Sequence, residues 1–188
     1  DRLLAISEET GVPIVEDNAQ GIGARWFGAA GQRGDAPMTG TMGALGTTSF
    51  FPSKNLGCAG DGGAVFTNDD ALAERVAMCA NHGMKQRYHH EVIGINSRLD
   101  TVQAALLRVK LPHLDRWNDA RRAAADRYDA NFAGVASIRT PYRDPRATHV
   151  FHQYTLRLAD GVDRDGCVAA LAAAGVPSGV YYPVPGHR

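Results

Sequence analysis

Two short apolar segments, Val12-Pro13-Ile14-Val15-Glu16 and Thr47-Thr48-Ser49-Phe50-Phe51, each run directly into residues able to do chemistry. Asp17-Asn18-Ala19-Gln20 closes the first, and Pro52 stops the second just before Lys54. β-Branched and aromatic residues fit a pleated, half-buried surface, so both segments predict short strands, and a proline cannot continue the ladder. A carboxylate and an amine then stand at two strand ends, the edge where open α/β sheets bind ligands.

The remaining pattern alternates strand with helix. Apolar spacing over residues 1–10 predicts a helix ending at Gly11, and Gly62–Thr67 predicts a third strand. Asn68-Asp69-Asp70 caps a helix that runs to about Asn81 and stops near Gly83. Such alternation implies a largely parallel sheet. Ala24 to Gly46 is glycine-rich and without period, which predicts a loop or hairpin. Leu99, Val102, Gln103, Leu106, Val109 and Lys110 have helical spacing up to Pro112. A second helix spans Leu114 to Phe132 before Gly134, with Arg121, Arg122, Asp126, Arg127 and Asp129 on a solvated face. Beyond Pro141 the alternation of His152–Leu158 predicts a strand, Asp163–Ala174 a helix closed by Gly175, and Val180-Tyr181-Tyr182 a further strand. The expected organisation is an α/β domain over residues 1–112, followed by a linker helix and part of a smaller α+β domain over 113–188. The opening Asp1-Arg2-Leu3-Leu4 reads as mid-helix and Gly186-His187-Arg188 closes nothing, so a chain truncated at both ends is expected.

Charge balance excludes one class of partner. Twenty basic residues against 20 acidic ones give zero formal charge, which leaves no basic footprint for nucleic acid. Cys58, Cys79 and Cys167 are odd in number and widely spaced, so they spell neither a disulfide framework nor a zinc site, and a reducing cytoplasm is expected. No apolar run reaches the ~18–20 residues that cross a bilayer. The seven histidines form no metal pair; His89 and His90, being adjacent, would point to opposite faces of a strand.

An amine beyond a strand can form a Schiff base with an aldehyde, while a separate acid can hold a pyridine nitrogen protonated. Each residue also has a plainer role. Asp17 can cap a turn, Ser49 can be an ordinary strand hydroxyl, and Asn96 can cap a helix. Gly60, Gly62 and Gly63 make a turn and no dinucleotide fingerprint, because Val65 stands where its last glycine would be. Cys58 lacks the histidine and asparagine pattern of a thiol hydrolase and reads as a small apolar filler.

With Asp17, Gln20, Ser49, Lys54, the glycines of Gly60-Asp61-Gly62-Gly63-Ala64, and Gly94-Ile95-Asn96-Ser97-Arg98-Leu99-Asp100, the chain resembles the DegT/DnrJ/StrS family of pyridoxal-phosphate-dependent sugar aminotransferases. The resemblance implies fold type I, with a large α/β domain bearing the cofactor and a smaller C-terminal domain. It implies that Lys54 forms the Schiff base and that Asp17 pairs with the pyridine nitrogen. Ala19 would face the ring, Gln20 would reach the phenolic oxygen, and Ser49 would bond the phosphate. Asn96 would cross a homodimer interface to the partner's phosphate, Arg98 would be structural, and Tyr182 and His187 would lie near the substrate. The implied reaction moves an amino group from glutamate to a keto group of a nucleotide-linked sugar, for surface polysaccharides or antibiotics. Related sugar dehydratases carry histidine in place of the lysine, and Lys54 argues against that class. A noncatalytic or regulatory homologue is the other alternative, against which the joint presence of Asp17, Gln20, Ser49 and Lys54 speaks.

Overall fold

In the computed structural model, residues 1–28 and 36–187 are described. Helix α1 (Arg2–Thr10) ends at Gly11 and leads into strand β1 (Val15–Asp17). Strand β2 (Leu45–Ser49) lies parallel to β1, with Val15 opposite Leu45 and Asp17 opposite Thr47. Strand β3 (Gly63–Phe66) lies on the other side of β2 but antiparallel to it. The largely parallel sheet expected from the sequence is thus mixed over these strands. A parallel partner needs a crossover, usually helical. Between Ser49 and Gly63 the chain instead folds straight back: Cys58 N–H donates to Phe50 O at 2.8 Å, and Phe50 N–H to Gly62 O at 2.7 Å.

Helix α2 (Asp70–Ala80) starts where expected, because Asp69 Oδ1 accepts the Leu72 N–H at 2.9 Å. A small hairpin follows, β4 (Met84–Gln86) against β5 (His89–His90), which the sequence pattern did not announce. Helix α3 (Thr101–Lys110) passes through one 3₁₀ turn, Leu111–His113, into α4 (Leu114–Phe132). Pro112 is tolerated in that turn because the first positions of a helix have no use for the N–H that proline lacks.

Contacts divide the chain into two compact units. The first comprises Asp1–Tyr128 with Tyr142–Tyr154, the second Asp129–Pro141 with the chain from Thr155 onward. The junction falls inside α4, whereas the Pro112 boundary expected from the sequence lies within the first unit. The second unit holds β6 (Ile138–Arg139) antiparallel to β7 (Arg157–Leu158), and α5 (Arg164–Ala173), capped by Asp163 Oδ1 on the Gly166 N–H at 2.9 Å. Only Arg157–Leu158 of the strand expected over His152–Leu158 forms, and Val180–Tyr182 forms none among the described residues. Part of the glycine-rich loop expected from Ala24 to Gly46 lies outside the described residues; its last two residues, Leu45 and Gly46, belong to β2.

The best-buried apolar cluster joins Phe50, Leu56, Cys58, Leu107 and Leu114. Three of these flank Lys54, so the core of the first unit is also the bed of the lysine loop. Among the described residues no helix is long and apolar enough to cross a membrane.

Candidate active site

The carboxyl ends of β1 and β2 bring together residues 32 positions apart. Asp17 ends β1 opposite Thr47, and Ser49 ends β2 two residues further, about 7 Å along the strand. Asp17 is exposed, and its Oδ1 accepts the Ala19 N–H at 3.0 Å, an Asx turn that fixes the carboxylate's direction. Behind it Asn18 is 5% exposed. Its N–H donates to Thr47 O at 2.8 Å, its Oδ1 accepts from Thr39 Oγ1 at 2.7 Å, and its main-chain oxygen accepts from Thr48 Oγ1 at 3.3 Å. Asn18 therefore ties β1 to β2 at the edge that carries Asp17, a role with no motif to announce it. Glu16 points the other way, and its carboxylate accepts the N–H groups of Gly40, Met42 and Gly43 at 2.8, 2.6 and 2.6 Å.

Past Ser49, whose Oγ accepts the Phe51 N–H at 3.2 Å, the chain turns so that Lys54 N–H donates to Phe51 O at 2.9 Å. Asn55 anchors this loop. Its Nδ2 donates to Asn118 Oδ1 at 2.7 Å and to Val150 O at 3.0 Å, while Asn118 Nδ2 donates to Ile22 O at 3.1 Å. One asparagine pair thus links the lysine loop to α4 and to the turn after Asp17. Gly23 makes room for it: at φ 87 a Cβ there would sit 2.7 Å from Asn118 Nδ2. From α3, Lys110 Nζ donates to Gly57 O, and Gln103 Oε1 accepts the Ala59 N–H at 2.8 Å.

Lys54 is half-buried, and among the described residues its amine has no hydrogen bond or ion pair. The chain's other two lysines are engaged, Lys85 by Glu74 and Lys110 by Gly57 O. Glu74 holds the Lys85 ammonium above its ordinary range through a hydrogen bond and its charge.

His152 is a neighbour of Lys54 that sequence reading missed. Burial, then the Lys54 charge, then Arg121 push its imidazolium below the ordinary histidine range, and its Nδ1 is buried without a partner among the described residues. Its alternating surroundings read as strand. Instead, Phe151 adopts φ 43 and Arg121 Nη1 takes the carbonyls of Phe151 and His152 at 3.1 and 3.3 Å, leaving no ladder to form.

The other expected residues are placed as follows. Ala19 is half-buried and Gln20 exposed beside the Asp17 turn. Asn96 is exposed on a segment clamped to the end of α2, where Ile95 N–H donates to Cys79 O at 2.7 Å and Ser97 N–H to Ala80 O at 2.9 Å. Gly94 packs so tightly there that a Cβ would lie 2.0 Å from Gly83 N. Arg98 Nε donates to Asn96 Oδ1 at 3.0 Å, which orients the amide and leaves Nδ2 as a donor. No hydrogen bond among the described residues joins Asn96 to Asp17, Ser49 or Lys54. Tyr182 and His187 are exposed and belong to the second unit.

A carboxylate, a hydroxyl and an unengaged amine at one sheet edge can bind a protonated heterocycle, an anion and a carbonyl. The whole chain is also similar to known proteins. A UDP-N-acetyl-3-dehydro-alpha-D-glucosamine 3-aminotransferase from Acidithiobacillus ferrooxidans is 44% identical over 99% of this chain and 47% of its own length. A pleiotropic regulatory protein of Geobacillus stearothermophilus is 43% identical over 100% of this chain and 48% of its own length. The crystal structure of S. venezuelae DesV in complex with a ketimine intermediate superposes with a TM-score of 0.88 at 44% identity, covering 98% of this chain and 47% of that one. The chain spans about half the length of the curated relatives it matches. The sequence model of the DegT/DnrJ/EryC1/StrS aminotransferase family matches residues 1–188, and the chain belongs to that family.

Proposed function

We propose that this chain is the cofactor-bearing part of a pyridoxal-phosphate-dependent aminotransferase that moves an amino group from glutamate to a keto group of a nucleotide-linked sugar. The observation that carries the reading is Lys54: the one lysine of three whose amine has no hydrogen bond or ion pair among the described residues stands beyond the strand edge formed by Asp17 and Ser49. The donor set suits the cofactor. Asp17 has one oxygen committed to Ala19 N–H and the other without a donor among the described residues, as a partner for a protonated ring nitrogen requires. Ser49 Oγ already accepts from Phe51 N–H, so its hydrogen is left to give to a phosphate. Half-buried Ala19 offers a small surface to a ring, and Gln20 an amide to a phenolic oxygen.

Pyridoxal phosphate, when bound, supplies an aldehyde and an electron-withdrawing ring. Lys54 Nζ would hold the cofactor through its aldehyde and would serve as the proton carrier of the site, and Asp17 would keep the ring nitrogen protonated. In this reading the first unit is the core of the large domain of fold type I and the second part of the small domain. By resemblance alone, Tyr182 and His187 are assigned to the sugar. The three free thiols fit a cytoplasmic enzyme, and the relatives fit polysaccharide or antibiotic biosynthesis. Asn96 serves the partner's site in a homodimer. Exposed Ile93 (97%) and Ile95 (65%), beside it in sequence, and exposed Val102 (70%) and Val109 (70%) on α3 supply apolar surface for a second copy.

The test is borohydride reduction of the full-length protein with cofactor, followed by peptide mapping. Label on Lys54 is expected; label on Lys85 or Lys110 overturns the assignment. The name of the Geobacillus relative favours a second reading, a regulatory homologue, and that reading predicts label on no lysine.

A further inference from the structure

The segment that returns to the first unit after residue 141 ends in a strap, Val150–His152, fastened beside the lysine loop. Asn55, the neighbour of Lys54, donates to Val150 O at 3.0 Å. Arg121 Nη1 donates to Phe151 O and His152 O at 3.1 and 3.3 Å, and Phe151 N–H donates to His149 Nδ1 at 2.9 Å. These bonds hold Phe151, 4% exposed, at φ 43, a left-handed conformation rare for an aromatic residue. Backbone strain of this kind costs on the order of 1–3 kcal/mol and persists where the surroundings over-determine it, often to aim a functional group. The ring that follows is His152. It feels the charge of Lys54, and its Nδ1 is buried with no partner among the described residues. A buried ring nitrogen without a partner is uncommon and calls for one.

We propose that His152 is a positioning residue for Lys54, its imidazole accepting a hydrogen bond from the lysine amine while that amine is detached from the cofactor. The proposal rests on the reading of Lys54 given above. A carboxylate in this place would hold the lysine charged, whereas an imidazole with a bare nitrogen orients the amine without fixing its proton. Burial, Lys54 and Arg121 all favour the ring's uncharged form. Arg121 meanwhile has its Nη1 on the two strap carbonyls.

The test uses the full-length protein. In the cofactor-free form, imidazole ¹⁵N shifts of His152 are compared between the native chain and Lys54→Met. In the loaded form, kcat, sugar KM, cofactor Kd and Tm are measured for His152→Leu, which keeps bulk without an acceptor, and for His152→Asn, which restores one near Nδ1. A bare-nitrogen signal that moves in Lys54→Met is expected. So is a kcat lowered about tenfold or more in His152→Leu with KM, Kd and Tm little changed, as for a misplaced proton carrier, and partial recovery in His152→Asn. A ring signal indifferent to Lys54→Met, or an asparagine variant no better than leucine, overturns the proposal. Absence of borohydride label from Lys54 in the native protein overturns the underlying reading instead; label on Lys54 with an indifferent His152 ring overturns this proposal alone.

Discussion

Asp17 already gives one carboxylate oxygen to Ala19 N–H, so the charge that matters for the ring nitrogen sits on a side chain whose direction is set before any ligand arrives. Asp17→Asn keeps the Asx turn and the shape but removes that charge. Cofactor binding should therefore survive while kcat falls on the order of 100-fold or more, the scale of a lost electrostatic partner. Equilibrium dialysis and steady-state kinetics check this, and full activity in the variant would make Asp17 a turn residue only. Titration supplies a second prediction. Burial, then Arg143, depress the His149 imidazolium, as burial, Lys54 and Arg121 depress that of His152. With folded values below the ordinary ~6.5, the unfolded chain binds more protons below that pH, so stability is full above it and declines as pH falls through the folded values. Melts of the full-length protein between pH 7.5 and 5 should show this decline, and it should shrink in His149→Asn. At this scale Lys54 and Asp17 were legible because each follows a strand with its own compositional mark. His152 was not, since alternation in His152–Leu158 imitated a strand and nothing local reveals a side chain bonding from 95 residues away, as Asn55 does to Val150.

Among elements, the lysine loop is set less by its own sequence than by α3 and α4. Asn118, 1% exposed, is the shared member: it accepts from Asn55 and donates to Ile22. Asn118→Ala would take one of two hydrogen bonds from the buried Asn55 amide, which keeps Val150 O, and would leave the Ile22 carbonyl without its donor, a loss of about 1–3 kcal/mol. Urea unfolding of the full-length protein should show it, and cofactor affinity should fall with it because the loop and the Asp17 turn lose their common anchor. Stability unchanged within error would mean that water replaces both bonds. Helices α1, α2 and α5 could be read within a residue or two, because Gly11, Asp69 and Asp163 mark their ends. Strand direction could not. The antiparallel course of β3 depends on main-chain bonds from Phe50 to Gly62 and from Cys58 to Phe50, which no side-chain pattern encodes. The β4–β5 hairpin was hidden because its residues are mostly exposed and carry no apolar alternation.

For the whole molecule, the exposed Asn96 with the exposed Ile93 and Ile95 beside it in sequence predicts sites completed by a second copy. Mixing full-length Lys54→Ala and Asn96→Ala chains tests this. If Asn96 acts in trans, a mixed dimer places both defects in one site and leaves the other intact, so activity returns from two inactive parents to about a quarter of native for random pairing of equal chains. No recovery, with mixed dimers verified and Asn96→Ala inactive alone, refutes shared sites. The division of the chain carries a last consequence. The first unit is interrupted in sequence, for Tyr142–Tyr154 belongs to it although Asp129–Pro141 does not. Arg25 N–H finds Thr148 Oγ1 at 2.8 Å and Asn55 finds Val150 O at 3.0 Å only through that late segment. During synthesis, then, a chain released as far as Pro141 holds its lysine and its aspartate but not the strap that braces them. A ribosome stalled there would display a half-built site, and the competence of the edge is timed by the emergence of some dozen residues that lie nowhere near it in sequence.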